Sequence, residues 1–227
     1  MLKDNVYIKS GRQKNMKDRE ATQIIIAIFI LSIVLGFTHL ISLEYSQVGF
    51  AILFAFIIIS INILSKKFIA AKLDSNVIHE IWQFQKYGFK PSRKFKRAKL
   101  FGVIIPLLLT AFSIGSLKVM SILTYETTAL KRRAARRHGA YSYTEMTDWH
   151  IALIGAGGII ATLLIAFISY WIPGLQLLTK GAIYYTFWNM IPFSKLDGTQ
   201  IYMGSRVLWT TLEIITVIFT LYAVILV

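Results

Sequence analysis

Cysteine is absent from the 227-residue chain, so neither a disulfide framework nor a thiolate metal site can form. Acidic residues are scarce: 11 stand against 25 lysines and arginines, giving a formal net charge of +14. There is no glycine-rich loop suited to phosphate, no serine–histidine arrangement and no internal repeat of the kind that marks a two-half transporter. What is abundant is apolar surface. Hydrophobic residues make up 56% of the chain and the mean hydropathy is +0.59, more than a soluble core of this size can enclose and what a bilayer accepts.

Three runs free of Asp, Glu, Lys and Arg carry this surface: 21–43, 45–65 and 149–179. The first follows twenty mostly polar residues and has no small-residue cleavage site, so it reads as a retained helix and not as a signal peptide. The positive charge is clustered. Six basic residues precede the first run, ten lie between Lys66 and Lys99, and six lie between Lys118 and Arg137. Basic loops of this kind mark the cytoplasmic side of a membrane protein, where anionic lipid headgroups are the expected partner and no specific nucleic acid is required. The segment "WQFQKYGFKPSRKFKRAK", 82–99, interleaves aromatic and basic residues, as a headgroup-level segment does.

These features place the N-terminus in the cytoplasm of a cell, with the chain in the cell membrane. The stretch "ISLEYSQV" has Glu44 and no lysine or arginine, so it faces outward. The stretch 100–117 is the difficulty. If it crossed, the basic run "KRRAARRHG" would be stranded outside. A re-entrant segment hinged at Gly102, Pro106 and Gly115 removes the conflict, and a Pro-kinked third helix is the alternative. The chain then divides into a basic N-terminal segment 1–20, two spans in 21–65, and a basic amphipathic interfacial segment 66–99. After these come the re-entrant or third hydrophobic segment with its basic loop, 100–149, and C-terminal spans in 150–227. Pro173 and Gly174 turn the chain between two of those spans.

One motif carries chemistry. "WNMIPFSKLDG" places Asn189, Pro192, Leu196, Asp197 and Gly198 in the pattern N-x-x-P-x-x-x-L-D-G before a final apolar run. A carboxylate there is expensive unless paired, hydrated or metal-bound. On this motif the sequence resembles the site-2 protease family of intramembrane zinc metalloproteases. "AGGIIATLLIAFI", 156–168, looks like the small-residue helix which that family packs against its active-site helix, with Gly158 near the usual Pro and Thr162 near the usual Asn. The resemblance implies an all-α membrane bundle of five to six spans with a site-2-protease-like core, in which Asp197 is a zinc ligand.

The family's H-E-x-x-H, two His holding zinc and a Glu acting as base, is missing in both registers available. In "NILSKKFIAAK", Asn62 and Lys66 stand where the His belong and Ile63 where the Glu belongs, and an ammonium repels zinc. In "HEIWQ", His79 and Glu80 are present but Gln83 replaces the second His, and the segment otherwise reads as an interfacial amphipathic helix. The leading expectation is therefore a pseudoprotease that binds a membrane segment or partner protein, with no metal cofactor. The alternative is an active metalloendopeptidase with zinc on Asp197, His79 and His150 and with Glu80 as base. Without metal, Asp197 either caps the helix that starts near Thr199 or pairs with Lys66. His39 falls in the outer half of the first span and His138 in the basic loop. Glu213, inside the last apolar run, faces a cavity or partner or else snorkels to the interface; with the re-entrant segment it is the one hint of a channel or transporter.

Overall fold

The computed structural model describes residues 2–86, 94–130 and 146–226, with side chains described from residue 19 onward except at 85, 86, 94–98 and 226. The basic run 131–137, His138 and Glu145 lie outside the described residues, as does the centre of the 82–99 segment.

The chain is mostly helical. Helix α1 (Leu2–Ile41) and helix α2 (Tyr45–Lys72) form an antiparallel pair joined at Leu43, which adopts φ 58°. Helix α4 (Asp148–Tyr170) turns through Gly174, φ 90°, into α5 (Gln176–Met190); the short α6 (Asp197–Gly204) and α7 (Arg206–Leu226) follow. Between α2 and α4 lie α3 (Phe101–Phe112) and four strands, β1 (Ser75–Ile81), β2 (Phe84–Lys86), β3 (Lys94–Lys99) and β4 (Leu123–Ala129). Four helical stretches are long and apolar enough to cross a membrane: Arg19–Ile41, Tyr45–Lys72, Asp148–Tyr170 and Arg206–Ile225. The chain is accordingly a helical integral membrane protein. Its core joins Leu31, Leu35, Ile58 and Ile59 of α1 and α2 to Met120, Ile122, Ala182 and Tyr185.

The strands correct the helical reading of the His79–Gln83 segment. After Lys72 the chain turns at Asp74, φ 49°, and runs extended. Strand β1 pairs antiparallel with β4, from Ser75 opposite Ala129 to Ile81 opposite Leu123, and β2 pairs with β3. In β1 the residues Ser75, Val77, His79 and Ile81 are buried while Asn76, Ile78 and Glu80 are more exposed. That is a period of two, the pattern of a strand with one covered face. Long-range pairing with β4 overrides the helix-like look of "HEIWQ", and nothing local announces a partner some forty residues away.

The segment 100–122 doubles back. Gly102 N donates to Trp82 O at 2.9 Å, and Trp82 N donates to Ile122 O at 2.8 Å, so the segment's two ends lie side by side. A Cβ on Gly102 would come within 2.3 Å of Ile122 O. The far tip is at Gly115, φ 80°, against Phe37 and Thr38 near the other end of α1. Helix α3 runs out and residues 117–122 lead back to β4, with Val119 to Ile122 buried. Of the three expected hinges only Gly115 serves as one. Pro106 sits inside α3, and Gly102 admits a close backbone approach.

Candidate functional site: a buried Lys–Asp pair

Helix α2 places Asn62 and Lys66 on one face, a turn apart, each 1% exposed. Helix α4 meets that face with glycines. A Cβ on Gly158 would lie 2.5 Å from Lys66 Cε and 2.9 Å from Asn62 Nδ2, and one on Gly157 would overlap Ile69. The small-residue stretch in α4 therefore exists to let α2 approach. Ser65 Oγ adds a 2.7 Å hydrogen bond to Gly157 O.

Asp197 reaches the same spot from the other side. The chain leaves α5 through Ile191 and Pro192, passes Ser194 at φ 57°, and begins α6 at Asp197 itself. Gly198 is required there because a Cβ would stand 1.9 Å from Met190 O. The Asp197 carboxylate, 1% exposed, accepts from Lys66 Nζ at 2.6 Å. Lys66 Nζ also lies 4.7 Å above the Tyr125 ring of β4, a favourable place for an ammonium. Of the two metal-free roles open to Asp197, pairing is the one realised. Capping is not: Leu196 is the N-cap of α6, and no side-chain cap bond forms.

Tyr125 closes the site. Its hydroxyl donates to Ile151 O at 2.9 Å, and its carbonyl accepts from Gln200 Nε2 at 2.9 Å. Burial, reinforced by the Asp197 charge, pushes its phenol well above the usual range, so it stays a neutral donor. Asn189, fully buried, donates from Nδ2 to Tyr185 O at 2.7 Å, and Thr186 bonds Thr162 at 2.9 Å. Asn62 Nδ2, Asn189 Oδ1 and Asp197 Oδ1 are enclosed and have no partner among the described residues. Leu196 and Gly198 are buried and Pro192 is exposed. A cleft of about 410 Å³ opens beside this centre, lined in part by Glu126, Asp148, Lys195, Thr199 and Gln200. Asp197 is not among its lining residues.

His79 does not join Asp197. Its Nδ1 donates to Glu20 Oε1 at 3.1 Å, and the same oxygen takes Lys67 Nζ at 2.8 Å. This second polar knot went unread in the sequence. Its signal was Glu20, a lone acid where the basic N-terminal stretch meets the first apolar run. Glu80 points to the opposite face of β1, and Gln83 is exposed beyond its end. His150 is near Thr147 at the start of α4. His39 pairs with Glu44 at 2.8 Å at the other end of α1. No group of three or more His, Cys, Asp or Glu able to hold a metal forms among the described residues. Asp197 meets an ammonium, itself covered by the Tyr125 ring, and neither group is a zinc ligand.

Burial holds the His79 imidazole below its usual range, and the Lys66 and Lys67 charges act in the same direction against the Glu20 hydrogen bond. A group whose folded value is depressed stabilises the fold above its unfolded value and loses that contribution as pH falls. The melting temperature is thus expected to drop as pH is lowered through about 6.5, and His79→Gln to flatten that limb. An unchanged profile in the variant would assign the drop to other groups.

No protein-family model matches the chain, and no curated protein or solved structure matches it either.

Proposed function

We propose that the protein is a non-proteolytic member of the site-2 protease family that binds a membrane segment of a partner protein. The observation that carries this reading is the 2.6 Å contact between Lys66 and Asp197. The residue standing at a family His position and the residue standing at the family Asp position meet, 131 residues apart in sequence, with an ammonium where a metal ion would bridge them. The facing glycines of α4 support the same register.

In this reading α1, α2, α4, α5 and α7 cross the cell membrane, the N-terminus is cytoplasmic, and 101–122 is a re-entrant hairpin. Helix α5, with 15 residues, is about 22 Å long against a hydrocarbon core of about 30 Å. Its end, and Asp197 after it, therefore sit below the cytoplasmic surface of the bilayer. The basic segments at that surface meet anionic headgroups. A centre whose carboxylate is neutralised by an ammonium has no free base and no open metal position, so in this reading it performs no hydrolysis; what it retains is the helix arrangement around a membrane segment.

Reversing the substitutions tests this. The triple variant Asn62→His/Ile63→Glu/Lys66→His is expected to bind about one zinc per chain, measured by elemental analysis. Adding Asp197→Ala should abolish that binding. Wild-type protein should contain none. Near-stoichiometric zinc in the wild type would overturn the pseudoprotease reading, and a folded triple variant without zinc would overturn the register.

A further inference from the structure

Among the described residues, the lysines and arginines gather at one end of the bundle, with two exceptions. Lys118 follows the Gly115 turn, at the tip of the hairpin. Its Nζ donates to Leu35 O at 3.3 Å and lies 3.5 Å from Thr38 Oγ1. Lys180 is in α5, one residue before Gly181, whose Cβ position would be 2.8 Å from Leu35 Cδ2. Lys118 and the α5 turn that carries Lys180 therefore both pack at Leu35 of α1. The Lys180 charge also acts on Lys118 directly through space. Fifteen helical residues, about 22 Å, separate this turn from Glu20, where α1 meets Lys67 and His79. By sequence alone Lys118 groups with the basic run that follows it; in the fold it is at the end of α1 away from Glu20.

Two like charges held together at a membrane boundary call for an anion. Among the described residues neither lysine is paired with a carboxylate. Glu44, at the same end, is already taken by His39 at 2.8 Å. An ammonium has three protons, so Lys118 keeps one after serving Leu35 and Thr38. Lysines that merely snorkel would spread into water away from each other, whereas Lys118 is tied back to the α1 backbone beside Lys180.

We propose that Lys118 and Lys180 form a binding site for the phosphate of an anionic phospholipid in the leaflet opposite the Lys66–Asp197 end. The lipid's acyl chains would lie along the apolar flank that α1, α3 and α5 present at that level. The occupant is a headgroup and not free phosphate, because Ile114 and Phe112, 71% and 83% exposed beside the turn, provide the apolar surface that a chain covers.

The test is amine labelling of the full chain in neutral detergent, read residue by residue by mass spectrometry. Phosphatidylglycerol is expected to slow labelling of Lys180 about tenfold, while phosphatidylcholine and inorganic phosphate at the same concentration leave it unchanged. Lys118→Gln should remove that protection and Lys118→Arg should retain it, with the melting temperature checked in both. Equal protection by phosphatidylcholine would overturn the proposal, as would protection that survives Lys118→Gln. Protection by inorganic phosphate alone would replace the lipid with a free anion.

Discussion

Lys66→Met is expected to destabilise the protein by about 3–5 kcal/mol, because it leaves the Asp197 carboxylate buried without its cation. Asp197→Asn should cost a comparable amount for the mirror reason: the ammonium would keep the Tyr125 ring at 4.7 Å but lose its anion. The double variant, Lys66→Met with Asp197→Asn, should recover a large part of the loss, since an apolar side chain beside a neutral amide removes both charges at once. Unfolding in mild detergent, followed by tryptophan fluorescence, gives the four corners of the cycle. Additive losses would mean that the two side chains sit together without holding α2 to the α5–α6 break. The pair is expected to couple strongly because both side chains are almost fully enclosed, at 2% and 1% exposure; exposed ion pairs are worth far less.

Gly198→Ala is expected to be the most disruptive small substitution in the chain. The added methyl would sit 1.9 Å from Met190 O and 2.4 Å from Met190 C, both backbone atoms that cannot rotate away. Relief requires moving the start of α6, and with it Asp197, at a cost of about 3 kcal/mol or more. Gly49→Ala is the matched control. Nothing lies within 4 Å of its Cβ position and it sits in helix α2, so alanine there should leave stability unchanged or raise it by up to about 1 kcal/mol. A Gly198→Ala variant melting like the wild type would mean that the break before α6 is not held by this contact. Gly158 is intermediate, since what it faces is the flexible Lys66 side chain.

The sequence was informative where chemistry conflicts with its surroundings. Asp197 between apolar runs, and Lys66 at the end of one, are costly in a membrane unless they meet, and they do. Charge placement and the glycines left a reversal at 100–117 as one of two readings, and the structure shows the chain doubling back over 100–122; the choice among hinges was not legible. Glycine spacing does not distinguish Gly115, which takes φ 80°, from Gly102, which accommodates a carbonyl. Tyr125 was invisible because its place over Lys66 depends on β4 pairing with β1, a non-local contact with no local signature. Glu213 was read as facing a cavity or partner, or as snorkelling; in the structure its Oε2 is enclosed with no partner among the described residues.

The hairpin has a consequence for how the protein is made. In its returning stretch, residues 119–122 are buried, Met120 and Ile122 pack with α1 and α5, and Ser121 Oγ donates to Trp188 O at 2.8 Å. Trp188 is synthesised sixty-seven residues later. Until then the non-helical backbone of 117–122 lacks that neighbour, and lipid offers it no hydrogen-bond partner. On the re-entrant reading, the segment would complete its packing only once α5 has arrived to receive it, after a stretch of chain that follows it in sequence has been made.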